Sequence, residues 1–160
     1  MKVTKILCCL LTFCMAATSF CACKKQEKLT VKQISTELEE ICLADEDIYE
    51  VSKADIENRF NFDGNLLDEC VIKISNNEEK LVLVAVMQLK EDKDRQTVID
   101  GINSTVKAAS ASFSVLGDKQ LSQIQQRLFY EYEDILIVVI AEKYEASTEY
   151  LEKIKAKKII

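Results

Sequence analysis

The chain predicts an α+β fold, a two-layer arrangement in which helices pack on one face of a four-stranded, mainly antiparallel sheet made of two hairpins. Two unbroken apolar runs, residues 81–87 and 135–141, carry that expectation, because strands without polar alternation belong at the sheet centre. Each run follows a more alternating segment across turn residues, which marks two hairpins. Segments with helical spacing stand before, between and after them, and no proline interrupts any element.

Taken in order, Thr30 opens the first helix. Its hydroxyl is placed to accept the third amide while Gln33 reaches back, a capping box, and Val31, Ile34, Leu38, Ile41 and Cys42 follow at helical spacing. Residues 44–65 are acidic and irregular, with a short helix over 53–60 that sets Ile56 and Phe60 on one face and ends at Gly64. Cys70, Ile72 and Ile74 then alternate as an edge strand, Asn76 and Asn77 turn the chain, and the first apolar run returns as a buried strand. Asp94 reads as the cap of the longest helix, with Val98, Ile99, Ile102, Val106, Ala109 and Phe113 as its stripe. After Gly117 and a short polar stretch, Leu128, Tyr130 and Tyr132 alternate, Glu133 and Asp134 make a tight turn, and the second run completes the second hairpin. Ser147 reads as the start of a last helix carrying Tyr150, Leu151 and Ile154, whose lysine-rich tail suits the negative helix C-terminus.

The amino-terminal region has a different character. Lys2 and Lys5 precede a short apolar run over residues 6–17, and small residues follow around Ala22, the three zones of a signal peptide over residues 1–22. A spanning helix needs about 20 apolar residues, and Lys24 and Lys25 interrupt this run first. Phe20-Cys21-Ala22-Cys23 resembles the lipobox of bacterial lipoproteins, with Phe in place of the usual Leu and a second Cys before the small Ala. That resemblance implies cleavage between Ala22 and Cys23, diacylglycerol on the Cys23 sulfur, and anchoring on the extracytoplasmic face of the membrane. Ordinary secretion, with a cut after Cys23, is the other route such a segment allows. Residues 23–29 then form the lipidated cysteine and a short polar tether, and residues 30–160 a single domain.

Composition limits what that domain does. The whole chain carries a formal charge of −6, and loss of residues 1–22 removes two lysines and no acid, taking it to −8. Such acidity argues against nucleic acid as a partner, and it also disfavours broad contact with anionic lipid. Histidine and tryptophan are absent, which removes the commonest general base and a common metal ligand. Of the seven cysteines, only Cys42 and Cys70 remain as thiols after cleavage and lipidation. Their apolar positions favour two buried free thiols over a disulfide.

Four candidate sites were weighed against plainer structural roles. Asn61-Phe62-Asp63-Gly64-Asn65 fails as a calcium loop, because Arg59 and Cys70 fall where carboxylates are required, and it reads as a turn. Asp45, Glu46, Asp47 and Glu50 read as a solvated acidic loop. Ser110, Ser112 and Ser114 lie along a helix without a histidine base or a sharp turn, and read as helix surface. Tyr130, Tyr132, Tyr144 and Tyr150 either border a groove or cap a small core. No catalytic residue, cofactor site or metal site is assigned.

The progression Asp55-Ile56-Glu57-Asn58, Leu66-Leu67-Asp68-Glu69-Cys70-Val71, a long helix, then Tyr132-Glu133-Asp134-Ile135-Leu136-Ile137-Val138-Val139 resembles small Gram-positive lipoproteins carrying the domain of unknown function 4358. The resemblance implies the fold and the membrane location, and carries no activity or functional residues. The resulting expectation is a non-enzymatic, lipid-anchored domain that binds an envelope protein or a small ligand. The alternatives are a histidine-independent hydrolase and an assembly module acting through a sheet edge or the first helix.

Overall fold

The computed structural model describes residues 28–76, 81–113 and 117–159; the signal peptide, Ala22, Cys23 and most of the tether lie outside them. The elements in chain order are α1 (Val31–Cys42), β1 (Ile48–Glu50), α2 (Ile56–Phe60), β2 (Leu67–Ser75), β3 (Leu83–Leu89), α3 (Arg95–Phe113), α4 (Asp118–Gln125), β4 (Leu128–Tyr132), β5 (Ile135–Ile140), α5 (Tyr144–Lys153) and β6 (Lys157–Lys158). The class is α+β with an open antiparallel sheet, in the order β1-β2-β3-β5-β4-β6.

The two apolar runs lie side by side at the centre, with Leu83 opposite Ile140, Ala85 opposite Val138 and Met87 opposite Leu136. Side chains alternate across the sheet. Leu83, Ala85 and Met87 therefore join Leu136 and Val138 against α2, α3 and α4, where Ile56, Phe60, Val98, Ile102 and Ile124 are buried. Val84 and Val86 join Ile137 and Val139 on the other face, against Ile34 and Leu38 of α1 and Leu151 of α5.

The expected two-layer, four-stranded arrangement is thus corrected on two counts. The sheet has six strands, and helices cover both of its faces. Strands that are apolar on both sides demand two covers, and the separate stripes of α1 and α3 supply one each. β2 is not an edge strand, because β1 pairs outside it through Ile48–Ser75, Tyr49–Ile74 and Glu50–Lys73. β1 and β6 are not legible from spacing because neither exceeds three residues; β6 is two lysines, as suits a sheet edge.

The local signals were partly right. Thr30 makes the expected capping box: its hydroxyl accepts from the Gln33 amide at 3.2 Å, and the Gln33 side chain accepts from the Thr30 amide at 2.9 Å. α2 ends at Asn61 in the left-handed region (φ 60°), and Gly64 instead opens the following 3-10 turn. The polar stretch after Gly117 is α4, held by one deeply buried side chain, Ile124. α5 begins at Tyr144, so Ser147 lies inside it, fully buried. The lysine-rich tail leaves that helix through Lys155 (φ 62°), with the Ala156 amide donating to Leu151 O at 2.9 Å, and returns as β6 alongside β4.

Gly101, on α3, has no room for a side chain: a Cβ there would stand 2.5 Å from the Phe60 carbonyl oxygen and 2.7 Å from Phe62 Cδ1. Gly→Ala in an exposed helix gains about 1 kcal/mol. Here overpacking of about 1–3 kcal/mol outweighs that gain, so Gly101→Ala should lower the urea midpoint. Thr30→Ala should cost about 1 kcal/mol through loss of the cap. A raised midpoint for Gly101→Ala would show that the α2–α3 contact yields.

Candidate functional site

The turn and loop candidates resolve into structural roles. Asp63 accepts from the Asn65 amide at 2.8 Å and so caps the 3-10 turn rather than facing an ion. Asp47 accepts from the Asn76 side chain at 3.0 Å, and Asp45 pairs with Lys143 at 3.4 Å, so the acidic loop is tied to neighbouring elements at separate points. Ser110 donates back to Val106 O at 2.9 Å within α3. Ser114 lies outside the described residues. Among the described residues no group of three Cys, Asp or Glu side chains is placed to hold a metal ion, and no helix is long and apolar enough to cross a membrane.

Cys42 and Cys70 are free thiols on opposite sides of the sheet, the first in the core under α1 and α5, the second against the core under α2 and α3. That separation explains why they do not pair. Cys42 Sγ lies 2.9 Å from Ser147 Oγ in a buried hydrogen bond. Burial pushes both thiols up from their ordinary values, the Ser147 bond and Lys143 opposing it at Cys42 and Lys53 opposing it at Cys70.

Tyr132 and Tyr150 come together where the residues just before α1 meet the end of α5. Tyr132 and Tyr150 are half-buried against the core beneath α1 and α5, and the Tyr132 hydroxyl accepts from the Leu29 amide at 3.3 Å. Beside them an open groove of about 730 Å³ runs between the start of α1 and the end of α5, lined by Leu29, Gln33, Thr36, Glu37, Tyr150 and Ile154. Lys32 and Lys153 stand on its rim. A second groove, of about 420 Å³, shares Ile154 and is lined by Tyr132, Lys28, Lys155, Lys157, Glu131 and Glu133. Tyr130 and Tyr144 line a third, with Arg127, Thr148 and Lys158. The sequence reading thus had the tyrosines at a groove or capping a core, and they do both.

Electrostatics in these grooves is dominated by burial of the phenols. Tyr150 is pushed up to about 12 by burial, and then by Glu37 and Tyr132. Tyr130 is raised by burial and by Glu152, against the lowering effect of its bond to Thr148. Both remain neutral donors at ordinary pH. Lys28 binds Glu133, and Arg95 binds Glu131 and Asp92. The arrangement offers apolar ring faces, neutral hydroxyls, amides and a lysine rim, which suits reversible binding. The lysines were missed in the sequence because they come from the two chain ends. The sole hint was the density of lysine at positions 24–28 and 153–158.

This geometry defines a small antiparallel α+β domain with helices on both faces and open grooves at one end of its sheet. A family model described as Domain of unknown function (DUF4358) matches residues 42–141, and the chain belongs to that family. No curated protein and no solved structure matches the chain. The matched span runs from the last residue of α1 to just beyond β5, so the elements that close the two grooves sharing Ile154, α1, α5 and β6, lie mainly outside it.

The raised thiols and phenols give a sign for pH dependence. Each is an acid whose neutral form the fold favours, so its contribution to stability is complete below the ordinary values of 9.0 for the thiols and 10.0 for the phenols. It is lost as pH rises through the higher folded values. The urea midpoint should therefore fall from about pH 9 upward, and Tyr150→Phe, which cannot ionise, should flatten part of the decline. A midpoint constant across that range would contradict burial of these groups.

Proposed function

We propose that this chain is a lipid-anchored extracytoplasmic protein whose domain is a non-enzymatic binding module, acting on a protein or small ligand presented close to the membrane. The observation that carries the proposal is the position of the tether. The domain begins at Lys28–Thr30, and these residues line the two grooves that share Ile154. Cys23 is five residues before Lys28, a reach of at most about 18 Å even when fully extended. A lipid on Cys23 therefore keeps the grooves at the membrane surface.

The lining supports binding more than bond-breaking chemistry. Tyrosine and isoleucine offer contact area at low entropic cost, and the Gln33 amide and Thr36 hydroxyl offer adaptable polar contacts. The lipobox-like sequence, the Gram-positive lipoprotein resemblance and the short tether all agree with a location outside the cytoplasm. The chain then works by position: the anchor limits the search for a partner to a thin layer above the bilayer, which raises effective concentration.

Metabolic labelling with an alkyne-bearing fatty acid should tag the protein in the membrane fraction, and the mature amino terminus should be modified Cys23. Cys23→Ser should abolish the tag. A tagless wild-type protein, or one released with a free amino terminus, would overturn the anchor. Tyr150→Ala, which opens the α1–α5 groove, should reduce by about tenfold the yield of whatever partner is crosslinked to the anchored wild type.

A further inference from the structure

The grooves share a rim of five exposed lysines, Lys28, Lys32, Lys153, Lys155 and Lys157, gathered around Ile154 from two separate segments of the chain. Three carboxylates line the same grooves. Glu133 is taken by Lys28, Glu131 by Arg95, and Glu37 stands beside Tyr150. Lys32, Lys153, Lys155 and Lys157 make no ion pair among the described residues. This rim lies at the β6 end of the sheet, whereas Asp45, Glu46, Asp47 and Glu50 lie at or beside β1, the opposite edge. Six strands spaced at about 4.8 Å separate those edges by about 24 Å, well beyond the screening length of about 8–10 Å at moderate salt. A surface facing the rim therefore meets positive charge although the chain as a whole is acidic.

Two further observations select the kind of surface. Ile159 is the large hydrophobic side chain left exposed, at 37%, among the described residues. Its amide donates to Phe129 O at 2.8 Å, so it continues the extended run of β6, and strand alternation returns it to the Lys157 side. A lysine rim with a projecting apolar side chain is the pattern of an interfacial contact, cations at the headgroups and the apolar group just below them. Lys28, on this rim, is also where the tether bearing Cys23, Lys24 and Lys25 joins the domain.

We propose that the Lys28, Lys32, Lys153, Lys155 and Lys157 rim, with Ile159, docks on a bilayer surface bearing anionic headgroups, so that the domain stands on its β6 edge with the acidic β1 edge pointing away. This deepens the anchored reading and shares with it only the position of the tether. Each lysine brought to an anionic surface strengthens the contact about fivefold, so the rim holds an orientation that a flexible tether alone would not.

The test is lysine footprinting by amine acylation and mass spectrometry on the full chain, reconstituted on phosphatidylcholine vesicles with and without phosphatidylglycerol. On anionic vesicles the five rim lysines should be modified several-fold more slowly, while Lys107, on α3, and Lys143, which pairs with Asp45, keep their rates. The protection should vanish at about 1 M salt, where the screening length is about 3 Å. It should also be lost at Lys28 and Lys32 in the triple variant Lys153→Gln, Lys155→Gln, Lys157→Gln, whose exposed sites leave the core intact. Equal labelling on both vesicle types, or equal slowing at Lys107 and Lys143, would overturn the proposal. So would equal protection by soluble polyglutamate, which would assign the rim to an acidic protein segment instead. Running the footprint on Cys23→Ser separates the two proposals: protection kept while the wild type carries no acyl label removes the anchor alone, and an acyl label without rim protection removes the docking alone.

Discussion

The pairing of β3 with β5 governs the rest of this molecule. Between them they place an almost wholly apolar surface on each side of the sheet, from Leu83–Ile140 at one end to Met87–Leu136 at the other. Burying each such side chain contributes about 1.5–3 kcal/mol, and that gain is realised only if both faces are sealed from water. Connectivity then decides which helices do the sealing. β4 and β5 are joined by a two-residue turn in which Glu133 takes φ 56°, so no helix fits there. The link from β3 to β4 carries α3 and α4 over one face. The other face is closed by α1, which precedes β1, and α5, which lies between β5 and β6.

That division has a consequence for function. Two helices from opposite ends of the chain must lie on the same face, and they contact each other as well as the sheet. Their outer ends bring Leu29, Thr30 and Lys32 beside Tyr150, Lys153 and Ile154, and the tail after α5 turns back through Lys155 to pair with β4. The grooves, the buried tyrosines and the lysine rim are therefore by-products of sealing the second face. The family-matched span holds the strands β1 to β5 and the first face, while the second face and its grooves are completed largely by the flanks.

Much of the fold was legible because its signals are local. The Thr30–Gln33 capping box, the stripe of α1, the apolar strands at the centre and the stripe of α3 through Val98, Ile102 and Val106 all follow from spacing alone. The failures have a common physical origin. β1, β6 and α4 owe their existence to neighbours: β1 is held by pairing with β2, β6 by pairing with β4, and α4 by Ile124 reaching the core. Ser147, which looks like a helix cap by residue type, is buried against Cys42, where its hydroxyl has a partner on another helix. The expectation of one covered face failed because two apolar sides of one strand cannot be told apart without knowing what lies over each.

What the sequence alone determined is the local architecture: the capped first helix, the two central strands, the absence of histidine and the amino-terminal pattern ending at Cys23. Those follow from residue type and short spacing, which need no partner. Tertiary structure alone decided that both faces are covered, that the sheet has six strands, and that lysines at residues 28–32 and 153–157 form one rim. These depend on contacts between residues distant in sequence, such as Ile48 with Ser75, Tyr130 with Lys158 and Lys28 with Glu133, and no local pattern encodes them. Charge illustrates the difference most plainly: composition makes the chain acidic, and only folding separates an acidic edge from a basic one.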